Sequence, residues 1–232
     1  MVEIKGLEKF APKDFPGFIS STVFLAGCNF RCPYCHNADL IVRPESLADI
    51  PLEFFLAYLD ARKGWLEGIC VSGGEPLTAP DLEELLVVLK SRGLLVKLDT
   101  NGSLPDRLAH LIGAGLVDQV ALDIKSAPDR YAEVTRSKVD PSDVDRSVRI
   151  VRDLRRPCLF RTTVVPGLVG EEDIRKISDW LTGSPVYQIQ QFSPANTLDP
   201  DYGKIQPFSP ADIQRMADIA RPHFSEVRVE GI

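Results

Sequence analysis

Three cysteines, Cys28, Cys32 and Cys35, lie within eight residues of one another. The spacing C-x3-C-x2-C puts three thiolates on one short loop, close enough together to bind a single compact centre. Four cysteines would fill every position of a structural zinc site or of an electron-carrying 4Fe–4S cluster. Three cysteines leave one iron of such a cluster open, so the spacing indicates a cluster that binds something besides the protein.

A zinc site is the alternative interpretation of this loop, with His36, Cys70 or Cys158 as the fourth ligand. Zinc ligands usually come in two separated pairs, and the sequence has no second pair with such spacing. His36 would also have to crowd against its immediate neighbour Cys35. Cys70 and Cys158 lie in apolar stretches and are predicted to be small core residues.

Polar residues follow three of the predicted strands at the point where each strand ends. A further charge, Arg161, lies inside a strand that is otherwise apolar. A charge on a buried strand requires a partner, which either a cofactor or a structural salt bridge would supply. The polar residues at the strand ends are Gly73, Gly74 and Glu75, then Asp99, Thr100 and Asn101, then Asp123 and Lys125.

The elements that must position these residues alternate along the chain. Short β-branched runs predict strands at residues 19–25, 68–72, 94–98, 119–123, 158–165, 186–191 and 226–229. Between the runs, apolar residues recur at helical spacing. Strand followed by helix, six times over, predicts parallel βαβ units in a single domain over residues 1–232. The pattern fits a barrel or an open sheet, and in both the functional residues gather at the carboxyl ends of the strands.

The composition is that of an ordinary globular protein, with 44% hydrophobic and 26% charged residues among 232. The 27 Lys and Arg against 33 Asp and Glu argue against nucleic acid as a main partner. No stretch approaches the roughly 20 apolar residues that cross a bilayer, and the amino terminus does not resemble a secretory signal. We expect a cytoplasmic protein, in which an odd number of cysteines favours metal or redox chemistry over disulfides.

The cysteine loop and its surroundings resemble the radical S-adenosylmethionine (SAM) superfamily. The signature of that superfamily has an aromatic residue before the last cysteine, and Tyr34 fills this position. Residues 14–17 (DFPG) and 24–37 (FLAGCNFRCPYCHN) are similar to the activating enzymes of glycyl radical enzymes. Among these, the similarity is greatest to the activating proteins of anaerobic ribonucleotide reductase, and it extends to pyruvate formate-lyase activating enzyme. The resemblance implies an α/β fold, a partial (β/α)6 barrel of the radical SAM type.

The resemblance also implies a cofactor site. Cys28, Cys32 and Cys35 would hold a 4Fe–4S cluster whose open iron binds SAM, and no catalytic residue is expected beyond the cluster and cofactor ligands. Asp99 and Asp123 would share a monovalent cation beside the methionyl carboxylate; the alternatives are a turn at Asp99 and a strand-end ion pair at Asp123. Gly73, Gly74 and Glu75 would meet the methionyl amino group. The other implied cofactor contacts are Tyr34, Thr100, Asn101, Lys125 and Arg161.

The implied reaction cleaves SAM reductively to a 5′-deoxyadenosyl radical, which takes a hydrogen from a glycine Cα of a partner glycyl radical enzyme. The sequence has no second cysteine group, so flavodoxin or ferredoxin is the expected electron donor. Residues 191–200, where the activating enzymes contact their substrate, lack the Tyr-His-Glu-Leu-Gly pattern of the pyruvate formate-lyase activases. The alternatives are a radical enzyme acting on a small molecule, such as a modified-purine precursor, and a zinc-binding interaction module without catalysis.

Overall fold

The computed structural model describes residues 2–154 and 158–231. The chain divides into two compact units, each made of several stretches of sequence. The first unit contains the chain up to Asn29, together with Asp39–Thr100 and Asp106–Val120. The second contains Phe30–Ala38, Asn101–Pro105 and the chain from Ala121 onwards. The assignment of residues 1–232 to one domain stays a prediction.

The first unit contains four strands that are hydrogen-bonded in chain order. They are β1 (Ile4–Glu8), β2 (Ser20–Leu25), β3 (Gly68–Gly73) and β4 (Leu95–Thr100). β2, β3 and β4 pair in parallel, whereas β1 runs antiparallel to β2. Along this part of the sequence lie helices α1 (Ala38–Val42), α2 (Leu52–Asp60), α3 (Leu82–Ser91) and α4 (Pro105–Gly113).

The second unit continues the alternation with parallel strand pairs. Its strands are β5 (Gln119–Asp123), which the unit includes from Ala121, then β6 (Leu159–Val164), β7 (Val186–Gln191) and β8 (Glu226–Glu230). Its helices are α5 (Tyr131–Thr135), α6 (Pro141–Arg152), α7 (Glu171–Trp180) and α8 (Pro210–Ala220).

Burial explains why the central strands form and where they end. In β3, Ile69, Cys70 and Val71 are fully buried, as expected of a parallel strand covered on both sides. The helix that follows, α3, buries one apolar face, formed by Leu82, Leu85, Leu86 and Leu89. Gly74 and Glu75 therefore lie between β3 and α3, where the strand has ended and the chain turns toward the helix.

The predicted alternation of strands and helices is confirmed, and β5 and β7 have the predicted bounds. β1, α1 and α5 were not predicted. α3 begins at Leu82, after a 3-10 turn that runs from Pro76 to Thr78. In the part of the chain that the structure describes, every helix falls short of the length and apolar character that a bilayer span requires.

Candidate cofactor site

In the first unit, the turn after β3 packs directly against the backbone that precedes Cys28. The Glu75 N–H donates to the Gly27 carbonyl at 2.7 Å. A Cβ on Gly74 would lie 1.9 Å from the Gly27 oxygen and 3.3 Å from Cys28 Cβ. Gly73 has φ +124°, and a Cβ there would lie 2.3 Å from the β2 backbone. Both glycines are therefore required by the contact between the turn and the start of the cysteine loop.

The Glu75 side chain is held in place from the neighbouring strand end. It is only 1% exposed, and its Oε1 accepts hydrogen bonds from the Thr100 hydroxyl at 2.7 Å and from the Leu77 N–H at 3.0 Å. A buried carboxylate is favourable only when it is hydrogen-bonded or paired with a cation. Two predicted cofactor residues, one after β3 and one at the end of β4, thus form one arrangement suited to an ammonium group.

Asp99 has a partner that the sequence analysis missed. Lys97 lies two residues earlier in β4, on the same face of the strand, and its buried ammonium forms an ion pair with Asp99 Oδ1. The Cys70 thiol donates to the same oxygen at 3.4 Å and lies 3.7 Å from Lys97 Nζ. Burial, with the charge of Asp99, raises the pKa of Cys70 above its ordinary value, so the thiol stays protonated. Cys70 is a core residue, as predicted, and it is also a hydrogen-bond donor to Asp99.

In the second unit, the loop that carries Cys32 and Cys35 is fixed by the segment after β7. The backbone N–H groups of Leu198 and Asp199 donate to the carbonyls of Cys35, at 3.0 Å, and of Pro33, at 2.9 Å. The Asp199 carboxylate in turn forms an ion pair with the Arg136 guanidinium, at 2.8 Å. Side-chain patterns do not indicate this anchor, because its donors are peptide groups.

Asp123 accepts two cations, one on each carboxylate oxygen. Lys125 Nζ lies 2.9 Å from Oδ2 and Arg161 Nε lies 2.6 Å from Oδ1. Burial alone would raise the pKa of Asp123, but the charges of Arg161 and Lys125 outweigh it, and the pKa lies below its ordinary value. The ion pair predicted as an alternative is therefore present, and Arg161 has its salt bridge. Two cationic side chains thus lie at this strand end, which suits thiolates or a ligand carboxylate.

Tyr34 is buried, and its hydroxyl has no hydrogen-bond partner within residues 2–154 and 158–231. Burial raises the pKa of this hydroxyl, and the charges of Cys32, Tyr131 and Asp123 raise it further. An unsatisfied buried hydroxyl marks a place where a polar group is missing. The hydroxyl is therefore suited to a hydrogen bond with a bound molecule.

The remaining predicted residues have simpler surroundings. Asn101 is buried, and its side-chain oxygen accepts from the backbone N–H and the hydroxyl of Ser103, at 3.0 and 2.7 Å, which makes it a turn residue. Burial lowers the pKa of His36, and the charge of Lys125 lowers it further, so the ring is neutral at pH 7. Burial raises the pKa of Cys158 to about 11, as expected of a core thiol.

The model of the radical SAM superfamily matches residues 22–181, more than half of the chain. The chain belongs to the radical SAM superfamily. It is a radical SAM enzyme, and enzymes of this family use a 4Fe–4S cluster and SAM. The predicted family, enzyme class and cofactors are therefore confirmed.

Relatives match almost the whole length of this radical SAM enzyme. A protein of Methanocaldococcus jannaschii that bears the name glycyl-radical enzyme activating enzyme is 31% identical over 237 residues, covering 99% of this chain and 96% of the relative. Pyruvate formate-lyase-activating enzyme of Streptococcus mutans is 29% identical over 209 residues, covering 84% of this chain and 78% of the relative. The activating enzymes thus match this chain over most of their own length.

A solved structure supports the fold. SuiB of Streptococcus suis, bound to S-adenosylmethionine, matches with a TM-score of 0.63 and 16% identity over 88% of this chain. This chain spans about half of SuiB, 48% of its length. At this identity the likeness shows the fold alone, and it confirms the predicted α/β class of the radical SAM type.

The donor set fits the cluster of a radical SAM enzyme. Cys28, Cys32 and Cys35 are free thiols, and cysteine sulfur is the ligand that iron–sulfur clusters take. Among residues 2–154 and 158–231, no three His, Cys, Asp or Glu side chains are gathered tightly enough to hold one metal ion. A cubane spreads its ligand sulfurs further apart than a single ion does, so this finding does not conflict with the cluster.

Proposed function

We propose that this radical SAM enzyme activates a glycyl radical enzyme, by taking a hydrogen atom from a glycine Cα of that partner. The observation that carries the proposal is the match to the M. jannaschii activating enzyme, which spans 99% of this chain at 31% identity. The match to a pyruvate formate-lyase-activating enzyme over 84% of the chain supports the same class of partner.

In this proposal Cys28, Cys32 and Cys35 would hold the cluster, and three cysteine ligands would leave one iron open to SAM. When bound, the cluster and SAM supply one electron and a carbon-centred radical. The protein's task is to assemble the cysteine loop. In the first unit, the turn at Gly73 and Gly74 packs against the backbone before Cys28. In the second unit, the segment after β7 holds the part of the loop that carries Cys32 and Cys35.

Different charged residues of the site suit different groups of SAM. Glu75, whose buried carboxylate is oriented by Thr100, suits the N–H donors of the amino group. Lys125 and Arg161 are the two cations beside Asp123, and a second carboxylate suits this pair of positive charges. The unsatisfied hydroxyl of Tyr34 is available for a further polar contact. Each of these residues positions the cofactor, and none is required to move a proton.

Flavodoxin or ferredoxin is the proposed electron donor. The sequence has five cysteines, of which three form the loop. The other two, Cys70 and Cys158, are buried and lie far apart in sequence. The cysteines of this chain thus supply the ligands of one cluster, and the electron that reduces it comes from outside.

The test is anaerobic. The protein is reconstituted with iron and sulfide, reduced, and given SAM together with a glycyl radical enzyme: pyruvate formate-lyase, anaerobic ribonucleotide reductase, or one encoded beside this chain. We expect 5′-deoxyadenosine in the solution and a glycyl radical in the electron paramagnetic resonance spectrum of the partner. Formation of the nucleoside without a glycyl radical on any of these partners would refute the activase role and favour a small-molecule substrate.

Two cysteine variants test the site itself. Cys32→Ala removes a buried thiol of the loop, and Cys158→Ala removes a buried thiol outside it. We expect Cys32→Ala to lose both the cluster and 5′-deoxyadenosine formation, and Cys158→Ala to keep both. Full turnover by the Cys32→Ala protein would show that the loop is not the ligand set.

A further inference from the structure

We propose that this chain needs no monovalent cation at Asp99 and Asp123, because the Lys97 ammonium takes the place of that ion. The inference rests on the proposed function, since the ion implied by the family resemblance lies beside the methionyl carboxylate of SAM. It is carried by the ion pairs of the two aspartates, each within its own unit.

Asp99 has its counter-charge built into the same strand. Lys97 is 2% exposed and Asp99 is 8% exposed, and the lysine ammonium contacts Asp99 Oδ1. The ammonium also lies 3.7 Å from the Cys70 sulfur, whose thiol donates to the same oxygen at 3.4 Å. A buried lysine is retained only when it is paired, so Lys97 is committed to this carboxylate. A metal cation bound to that oxygen would meet the ammonium at close range.

The Asp123 carboxylate also has counter-charges within its own unit. Lys125 lies against one oxygen at 2.9 Å and Arg161 against the other at 2.6 Å. Each of the two aspartates thus has at least one cationic partner within its own unit. A shared cation relieves repulsion between carboxylates only when those carboxylates lack counter-charges of their own. Both aspartates here have them.

Size and charge make an ammonium a reasonable replacement for such an ion. A lysine ammonium is a compact, strongly hydrated point charge with three donors, and it carries the single positive charge of a sodium or potassium ion. Because Lys97 is tethered to β4, its local concentration does not depend on the salt in the buffer. The carboxylate is therefore neutralised at any salt composition.

The first measurement is thermal unfolding of the cluster-loaded protein in potassium, sodium or tetramethylammonium chloride at equal ionic strength, with and without SAM. A specific ion bound with a Kd of about 1 mM would, at 0.1 M, raise the midpoint by roughly 5–10 °C. We expect the same midpoint in all three salts. A saturable rise with potassium or sodium in the wild-type protein would overturn the inference.

Two variants identify Lys97 as the replacement. Lys97→Met removes the charge at similar length, and Lys97→Arg keeps it. We expect Lys97→Met to unfold earlier in tetramethylammonium chloride and to recover when potassium or sodium is added, whereas Lys97→Arg stays indifferent to the salt. A folded Lys97→Met protein that does not respond to either ion would overturn the role of Lys97. If Lys97→Met does not fold, the unfolding midpoints of the wild-type protein and of Lys97→Arg in the three salts still decide whether an ion is bound.

The Kd for SAM, measured in the same three salts, separates this inference from the proposed function. Absence of SAM binding in every salt would refute the proposed function, while the unfolding midpoints still decide on the ion. SAM binding that tightens several-fold in potassium or sodium would leave the proposed function intact and refute the inference.

Discussion

Substitution of Gly74 by alanine tests the contact between the turn after β3 and the start of the cysteine loop. The added Cβ would lie 1.9 Å from the Gly27 oxygen, and real Cβ contacts are essentially never closer than 3.0 Å. The two must therefore separate by at least 1.1 Å. Such a movement breaks the 2.7 Å hydrogen bond from Glu75 to the same oxygen and displaces the backbone next to Cys28.

The cost follows from these two changes. Overpacking of a close-packed site costs about 1–3 kcal/mol, and loss of a hydrogen bond adds about 1 kcal/mol. A total of about 3 kcal/mol lowers the unfolding midpoint of a chain of this size by roughly 6–12 °C. Because Cys28 moves with its backbone, we also expect the Gly74→Ala protein to retain less iron after reconstitution.

The assay is thermal unfolding combined with iron content, and Gly113→Ala is the matched control. Gly113 ends α4, is exposed, and has no atom within 4 Å of an added Cβ. Alanine is favoured over glycine in a helix by about 1 kcal/mol, so this variant should unfold at the wild-type midpoint or slightly above it. If Gly74→Ala unfolds within about 2 °C of Gly113→Ala and binds as much iron, the close approach is not a constraint and the reasoning is wrong.

Three further substitutions follow from the hydrogen bonds and ion pairs of the site. Thr100→Val removes the donor that orients Glu75; we expect a loss of about 1–2 kcal/mol in SAM binding, measured by titration. Asp123→Asn removes the carboxylate that Lys125 and Arg161 share and should cost about 1–3 kcal/mol at pH 7, measured by urea unfolding of cluster-free protein. The folded pKa of Asp123 is depressed, so its contribution is present above the unfolded pKa of about 3.9 and is lost as the pH falls below that value. Asp199→Asn weakens the ion pair with Arg136, which should change the stability little but loosen the cysteine loop, so a chelator should remove iron faster.

Each of these expectations has an outcome that contradicts it. Wild-type SAM affinity in Thr100→Val would mean that Glu75 is oriented without the hydroxyl. A stability difference for Asp123→Asn that stays constant from pH 7 to pH 3 would mean that the ionised carboxylate is not the stabilising group. An unchanged rate of iron loss in Asp199→Asn would mean that the backbone bonds alone hold the loop.

The sequence predicts strands well where a short apolar or alternating run ends in polar residues. β5 has a buried Val-Ala-Leu centre, β7 alternates the buried Tyr187 and Ile189 with glutamines, and the predicted bounds of both strands match. β1 reads Ile-Lys-Gly-Leu-Glu, with neither a continuous apolar run nor strict alternation, and it forms through antiparallel pairing with β2. α5 has only five residues, too few for a periodic pattern. Elements that depend on tertiary contacts thus escape a local analysis.

The same distinction holds in the site. The cysteine spacing and the turn at Gly73 and Gly74 are local patterns, and the sequence identifies them. Lys97 was overlooked although it lies two residues before Asp99, which in a strand means the same face and hence an available ion pair. The bond from Asn196 to the carbonyl of His36 joins residues 160 apart in sequence, and nothing in either segment indicates it.

The anchor between the segment after β7 and the cysteine loop bears on how such an enzyme acquires new partners. Substrate-contacting residues of activating enzymes occupy this segment in the family resemblance, so selection for a new partner would act on its side chains. The bonds that Leu198 and Asp199 give to the loop come from peptide N–H groups, which every residue except proline has. In the proposed activase, side chains of this segment other than Asp199 could therefore change with the partner while the peptide groups keep their hydrogen bonds to the loop that carries Cys32 and Cys35.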